Sequence, residues 1–245
     1  MDWMTWKPIY TDIASGLGLS IREDYDATKA LSHLIKDIDP APLLKRLEGT
    51  IRERDVVIFG SGPSLMGHIE YVDQYISDAV HIAADGAISA LRDYGLECDI
   101  LVTDLDGSME DILLAVTEGT LPIVHAHGDN QSAVLKCVPQ MDHLLGSTQV
   151  EPLSNVFLWG GFTDGDRACY LASEYGPKRI ILAGMDFGSV VGKWSKPGHT
   201  QHFLASPRKM VKLQIAEDLL NRLWMKTGTK HVTIQEMIAK QDLVP

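Results

Sequence analysis

The chain has 245 residues, 45% of them apolar and 22% charged, an ordinary globular composition that can bury a sizeable core without disulfides or a structural metal. With 22 Lys and Arg against 33 Asp and Glu the net charge is −11, a field that excludes generic binding to nucleic-acid backbones or anionic membranes. Cys98, Cys137 and Cys169 form neither a CxxC pair nor a disulfide framework, which predicts free thiols and a cytoplasmic setting.

Met1-Asp2-Trp3-Met4 carries no basic n-region or following apolar stretch, which predicts no secretory signal, and no apolar run is long enough to span a bilayer. Residues 1–50 read as a helical extension packed on the main domain. Asp24 to Ile38 places Ala27, Leu31, Leu34, Ile35 and Ile38 on one helical face. Pro40 and Pro42 are expected to interrupt, with a short helix through Leu43, Leu44 and Leu47 ending at Gly49.

From residue 51 to about 200 short apolar runs alternate with helical stretches. Val56–Phe59, Ala79–Ala84, Ile100–Val102, Leu121–Val124, Asn155–Trp159 and Arg179–Ala183 read as strands, with His143–Leu145 weaker. Helices are predicted near 65–76, 86–94, 109–119, 130–138 and 165–175. Continuous apolar strands alternating with helices predict an α/β fold, a mostly parallel sheet flanked by helices. Residues 201–245 read as a C-terminal helical segment on that core. Ser206-Pro207 is an N-cap signal, and Met210, Leu213, Ala216, Leu220, Leu223 and Trp224 form a core-facing stripe up to Gly228.

Each predicted strand ends in Gly, Asp, His or Asn, and ligands of open parallel sheets bind outside the carboxyl ends of strands. Gly60-Ser61-Gly62-Pro63-Ser64 offers close backbone approach, hydroxyls and a helix start, hence a phosphate contact; a plain tight turn is the alternative. Asp104 and Asp106, two residues apart after a strand, point to one side of an extended backbone, and Asp85 ends a neighbouring strand. The three carboxylates can share a hard cation such as Mg²⁺, or each can cap a helix.

His125 and His127 suit a phosphate or a heterocycle better than zinc, which needs a third protein ligand. Around Phe162, Thr163 and Asp164, aromatics, glycines and charges suit a flat ring, or Thr163 and Asp164 simply cap a helix. In an acidic chain Lys193, Lys196, Arg208, Lys209 and Lys212 stand out as a phosphate clamp, against the alternative of a solvated helix start.

The ordered series GSGPSL, ADGA, CDILVTDLDG, HAHGDN, GGFTDGDRA and AGMDFG, over roughly residues 50 to 200, resembles the archaeal 6-hydroxymethyl-7,8-dihydropterin diphosphokinase family. The ADG and DxD pairing is similar to the catalytic domain of thiamin diphosphokinases, without their β-sandwich domain. The resemblance implies transfer of diphosphate from the co-substrate ATP to the hydroxymethyl group of a dihydropterin, with release of AMP and a need for Mg²⁺, in folate or methanopterin-type synthesis. Asp85, Asp104 and Asp106 are then the metal ligands and catalytic groups. Gly60, Ser61, Gly62 and Ser64, with His125, His127, Lys193 and Lys196, contact the nucleotide. Asn130, Phe162 and Asp164 are candidates for the pterin pocket. A homodimer is implied as well.

Two rivals come from other classes. Ile100 to Ser108 resembles the haloacid-dehalogenase signature, in which the first aspartate attacks phosphate, although that family opens its core domain with this strand. A non-catalytic module that holds a nucleotide or nucleotide-sugar would share the GxG strand–turn–helix and would release no AMP.

Overall fold

A computed structural model of the protein describes residues 1–241. Eight strands form one sheet in the order β10-β7-β1-β2-β3-β4-β5-β6, and every pairing in it is parallel. The strands are β1 Asp55–Phe59, β2 Ala79–Ala84, β3 Ile100–Thr103, β4 Leu121–Ala126, β5 Leu145–Thr148, β6 Val156–Phe157, β7 Arg179–Ala183 and β10 His231–Thr233. A separate antiparallel hairpin pairs β8 Val190–Val191 with β9 Phe203–Leu204.

Strand alternation sorts the core into two halves. Val57 and Phe59 of β1 face a layer made by α2 Ile21–Leu34, α4 Leu65–Tyr75, α5 Ala87–Tyr94, α6 Met109–Thr117, α7 Gln131–Cys137 and α10 Ile234–Gln241. Val56 and Ile58 face the opposite layer, made by α1 Trp3–Leu17, α3 Pro40–Ile51, α8 Asp164–Glu174 and α9 Pro207–Thr227. With both faces covered, the central strands have no solvent side, which is why their sequences are continuous apolar runs.

The first fifty residues feed both layers: Trp6, Tyr10 and Leu47 join one core, and Ala27, Leu31 and Ile35 the other. Several predicted elements shift. The helix expected at Asp24–Ile38 is Ile21–Leu34, capped by Ser20, whose Oγ accepts the Glu23 N–H. Pro40 does not interrupt but begins α3, since the first helical residue needs no N–H; Asp39 caps it, and the helix runs on past Gly49. The strand expected at His143–Leu145 lies at Leu145–Thr148, and that at Asn155–Trp159 shrinks to Val156–Phe157. Strand β10 and the β8–β9 hairpin have no counterpart in the sequence reading, because two or three residues are too few to show a period. Ser206 caps α9 and Gly228 ends it in the left-handed conformation, as the sequence predicts.

Strand order reverses at β1, with β2 to β6 on one side and β7 and β10 on the other. The loops leaving β1 and β7 therefore part there and open a crevice at the strands' carboxyl ends.

Candidate active site

A cavity of about 350 Å³ occupies that crevice, walled by the loops after β1, β2, β3, β4 and β7 and by the starts of α8 and α9. Asp85, Asp104 and Asp106 meet on its wall, each offering a carboxylate oxygen within 4.8 Å of the others. Two residues of this cluster sit in left-handed conformations that side chains resist, Asp85 at φ 43° and Leu105, between the other two aspartates, at φ 67°. Such positions cost of order 1–3 kcal/mol each and persist only where the surroundings enforce them. Turning Leu105 into the core, where it is buried, leaves the two flanking aspartates on the cavity side.

A relay holds the arrangement. Leu105 N–H donates to Thr103 Oγ1 at 2.9 Å, and that hydroxyl donates to Asp85 Oδ1 at 2.6 Å. Gly107 keeps the site tight, since a Cβ there would lie 3.0 Å from Asp85 Oδ2. Burial, with the neighbouring charges of Asp104 and Asp106, pushes the Asp85 carboxyl well above the usual carboxylate range. Asp104 Oδ1 is buried without a hydrogen-bond partner among the described residues. An all-oxygen donor set, mutual repulsion and an orphaned buried oxygen together fit a hard divalent cation such as Mg²⁺.

Cations line the opposite wall. Lys196 pairs with Asp106, brought there because Gly86 lets the backbone of Trp194 approach: a Cβ on Gly86 would lie 2.0 Å from Trp194 O. Arg208, Lys209 and Lys212 of α9 reach the same cavity, and burial lowers the Lys209 ammonium. Lys193 does not join them; its ammonium lies 4.7 Å over the Trp194 ring, off the cavity wall.

The glycine loop after β1 also departs from expectation. Gly60 N–H donates to Ala183 O and Gly62 N–H to Gly184 O, both at 2.8 Å, so neither is free for an anion. A Cβ on Gly62 would meet Asp186 Oδ2 at 2.1 Å, so this glycine is demanded by packing against the β7 loop. Ser64 donates its hydroxyl and backbone N–H to Asp186 and does not reach the cavity, because that carboxylate already occupies the start of α4. Ser61 remains on the wall with Gly60 and Gly62.

After β4, His127 Nε2 lies 3.4 Å from Asp104 Oδ2. His125 is buried against Ser147, and burial, reinforced by Arg167 and His127, drives its imidazole well below the usual range, so it stays neutral. Asn130 is not a ring-binding group: its amide accepts from His127 N–H and donates to Asp104 O and His125 O, all within 2.9 Å, which leaves it a brace for the loop. Phe162 and Asp164 line the cavity; burial and then the charges of Asp104 and Asp85 raise the Asp164 carboxyl well above the ordinary range.

Residues the sequence reading did not single out complete the wall. Arg167, 1% exposed, donates to the carbonyls of Gly161 and Phe162, both at 3.2 Å. Asp24 of α2 accepts from Gly128 N–H at 2.8 Å and from the Tyr10 hydroxyl, and Gln149 donates to that hydroxyl at 3.0 Å. A sequence signal existed for Arg167, a charged residue at the head of the small and apolar stretch Ala168 to Ala172. Tyr10 and Asp24 gave none, since each sits in an ordinary amphipathic helix.

Among known families, residues 29–192 match the one described as 6-hydroxymethylpterin diphosphokinase MptE-like. Three archaeal proteins, each called 6-hydroxymethyl-7,8-dihydropterin pyrophosphokinase, are similar over most of their length. The one from Pyrococcus furiosus is 43% identical, over 96% of this chain and 99% of its own. That from Methanothermobacter thermautotrophicus is 38% identical over 91% and 95%, and that from Methanocaldococcus jannaschii 35% over 91% and 96%. Among solved structures, the MAf glycosyltransferase from Magnetospirillum magneticum AMB-1 aligns with TM-score 0.47 and 16% identity, over 83% of this chain and 34% of that enzyme, a likeness that carries no functional argument.

Proposed function

The chain belongs to the MptE-like family of 6-hydroxymethylpterin diphosphokinases, and from that premise we propose that it transfers diphosphate from ATP to the hydroxymethyl group of 6-hydroxymethyl-7,8-dihydropterin, releasing AMP. The observation that carries the reading is the meeting of Asp85, Asp104 and Asp106 opposite a cationic wall in one crevice.

The hydroxymethyl oxygen bonds to the β-phosphorus while the bond from that phosphorus to the α–β bridging oxygen breaks, and the bridging oxygen leaves with AMP. Catalysis of this kind rests on positioning and charge neutralisation. A divalent cation held by Asp85, Asp104 and Asp106 would neutralise phosphoryl oxygens and orient them. Lys196, Arg208, Lys209 and Lys212 face the triphosphate from the other wall, and Ser61 contacts it from the β1 loop. This cationic wall also answers how a chain of net charge −11 holds an anion: its positive groups are collected where the phosphates lie.

Among the described residues no helix is long and apolar enough to cross a membrane. We further read the protein as cytoplasmic, on its three free cysteines, and as a homodimer, on the resemblance to the thiamin diphosphokinase fold. A single-chain mass by light scattering refutes the dimer.

The deciding experiment incubates the purified chain with ATP, Mg²⁺ and 6-hydroxymethyl-7,8-dihydropterin and resolves nucleotides by chromatography. AMP in step with pterin diphosphate is expected. Orthophosphate release with a phosphorylated aspartate, or nucleotide binding without turnover, would replace this reading.

A further inference from the structure

The deep end of the cavity differs chemically from its cationic wall. His125 shares a sheet face with Ile123, the face that α8 covers, and Arg167 lies in the first turns of α8. Both side chains are almost wholly buried, at 2% and 1% exposure, and both line the cavity. Each carries a buried nitrogen with no hydrogen-bond partner among the described residues, Nε2 of His125 and Nε of Arg167. Desolvated nitrogens on residues that line a cavity are a standing cost unless a ligand pairs with them.

The neighbours say what kind of ligand that is. The carboxyl groups of Asp164 and Asp166 stand beside Arg167 and already engage its charge, so this guanidinium is not left free for a phosphate. His125 is neutral. Phe162 adds an apolar surface and Gln149 an amide. A flat, uncharged heterocycle with acceptor atoms on its edge satisfies these groups, and a triphosphate does not.

Resting on the diphosphokinase reading, we propose that the dihydropterin ring is seated at this deep end, where Arg167 Nε and His125 Nε2 pair with its carbonyl oxygen and ring nitrogens and so set specificity for a pterin. Histidine 125 then belongs to the ring subsite and not to the nucleotide. The hydroxymethyl arm points back toward Asp164 and the acidic triad, and the triphosphate lies along Lys196 and Lys209.

Steady-state kinetics on the full chain test this with Arg167→Gln and His125→Phe. The KM for the dihydropterin is expected to rise at least tenfold in each, with the KM for ATP within twofold of wild type. Because Arg167 also ties down the Gly161 and Phe162 carbonyls, its variant is checked for folding by circular dichroism, and a ligand-side comparison stands independent of it. The wild type, without nucleotide, is titrated by fluorescence with 6-hydroxymethylpterin and with its 4-amino analogue, which turns the carbonyl acceptor into a donor. At least tenfold weaker binding of the analogue supports the assignment. Equal binding of the two, or an unchanged pterin KM in a folded His125→Phe, overturns it. Pterin binding with that discrimination but no AMP release defeats the diphosphokinase reading alone, whereas AMP release without discrimination defeats only the ring assignment.

Discussion

The hydroxyl of Thr103 donates to Asp85 Oδ1 at 2.6 Å, joining the end of β3 to the carboxylate that leaves β2. One side chain thereby orients a proposed metal ligand and, by accepting from Leu105 N–H, keeps the strained turn between the other two. Thr103→Val preserves shape and removes both bonds. It is expected to raise the Mg²⁺ concentration for half-maximal AMP formation by roughly 10–100-fold, the usual cost of losing a group that orients a metal ligand. An unchanged Mg²⁺ titration would mean that the relay does not position the site.

Asp104→Asn and Asp106→Asn are expected to abolish AMP formation and weaken Mg²⁺-dependent nucleotide binding while leaving the thermal midpoint within a few degrees. The triad repels itself, so neutralising one member does not harm the fold. Full activity in either variant discards the metal assignment.

Two residues that look alike in sequence should part company in kinetics. Lys196 pairs with Asp106 on the cavity wall, whereas Lys193 lies over Trp194. Lys196→Ala is expected to raise the KM for ATP about tenfold, the loss of roughly one charge-assisted contact of 1.4 kcal/mol, and Lys193→Ala to leave it within twofold. Ser64→Ala should also spare that KM and lower the melting temperature, because its partner is Asp186. Equal effects at both lysines would restore the whole loop to the phosphate clamp.

Acid sensitivity has an identifiable contributor in His68, buried beneath the β7 loop with Nδ1 accepting from Gly184 N–H at 2.9 Å. Burial lowers its pKa from 6.5. The unfolded chain therefore takes up a proton near pH 6.5 that the folded chain refuses, so this group's contribution is full above that value and is lost as pH falls below it. Between pH 7.5 and 5.5 the melting temperature of wild type should fall further than that of His68→Asn, whose amide oxygen replaces the acceptor. Parallel curves would assign the acid sensitivity to other groups.

Tyr10 ties α1 to the cavity floor through Asp24, whose other oxygen holds Gly128. Tyr10→Phe leaves a buried carboxylate short of a donor, a loss of about 1–3 kcal/mol. At roughly 2–4 °C per kcal/mol for a chain of this size, a drop of several degrees in calorimetry is expected, with a raised KM for the pterin. No change in either would detach the N-terminal helices from the site.

What was legible in the sequence is what depends on local pattern. Apolar runs such as Ile180 to Ala183 mark buried parallel strands, and the polar residues that end them mark the ligand edge. The aspartates 104 and 106 share a side by backbone geometry alone. Pairings across the fold are of another kind. That Asp186 takes Ser64 away from any phosphate, that Asn130 is consumed as a brace, and that Arg167 and His125 line one cavity all follow from how α8 and the loops after β3, β4 and β7 settle on the sheet. Periodicity reports which face of an element is buried; it carries no record of which partner lies opposite. Only packing selects that partner, and at this crevice it decides which polar atoms are spent within the fold and which are left for a ligand.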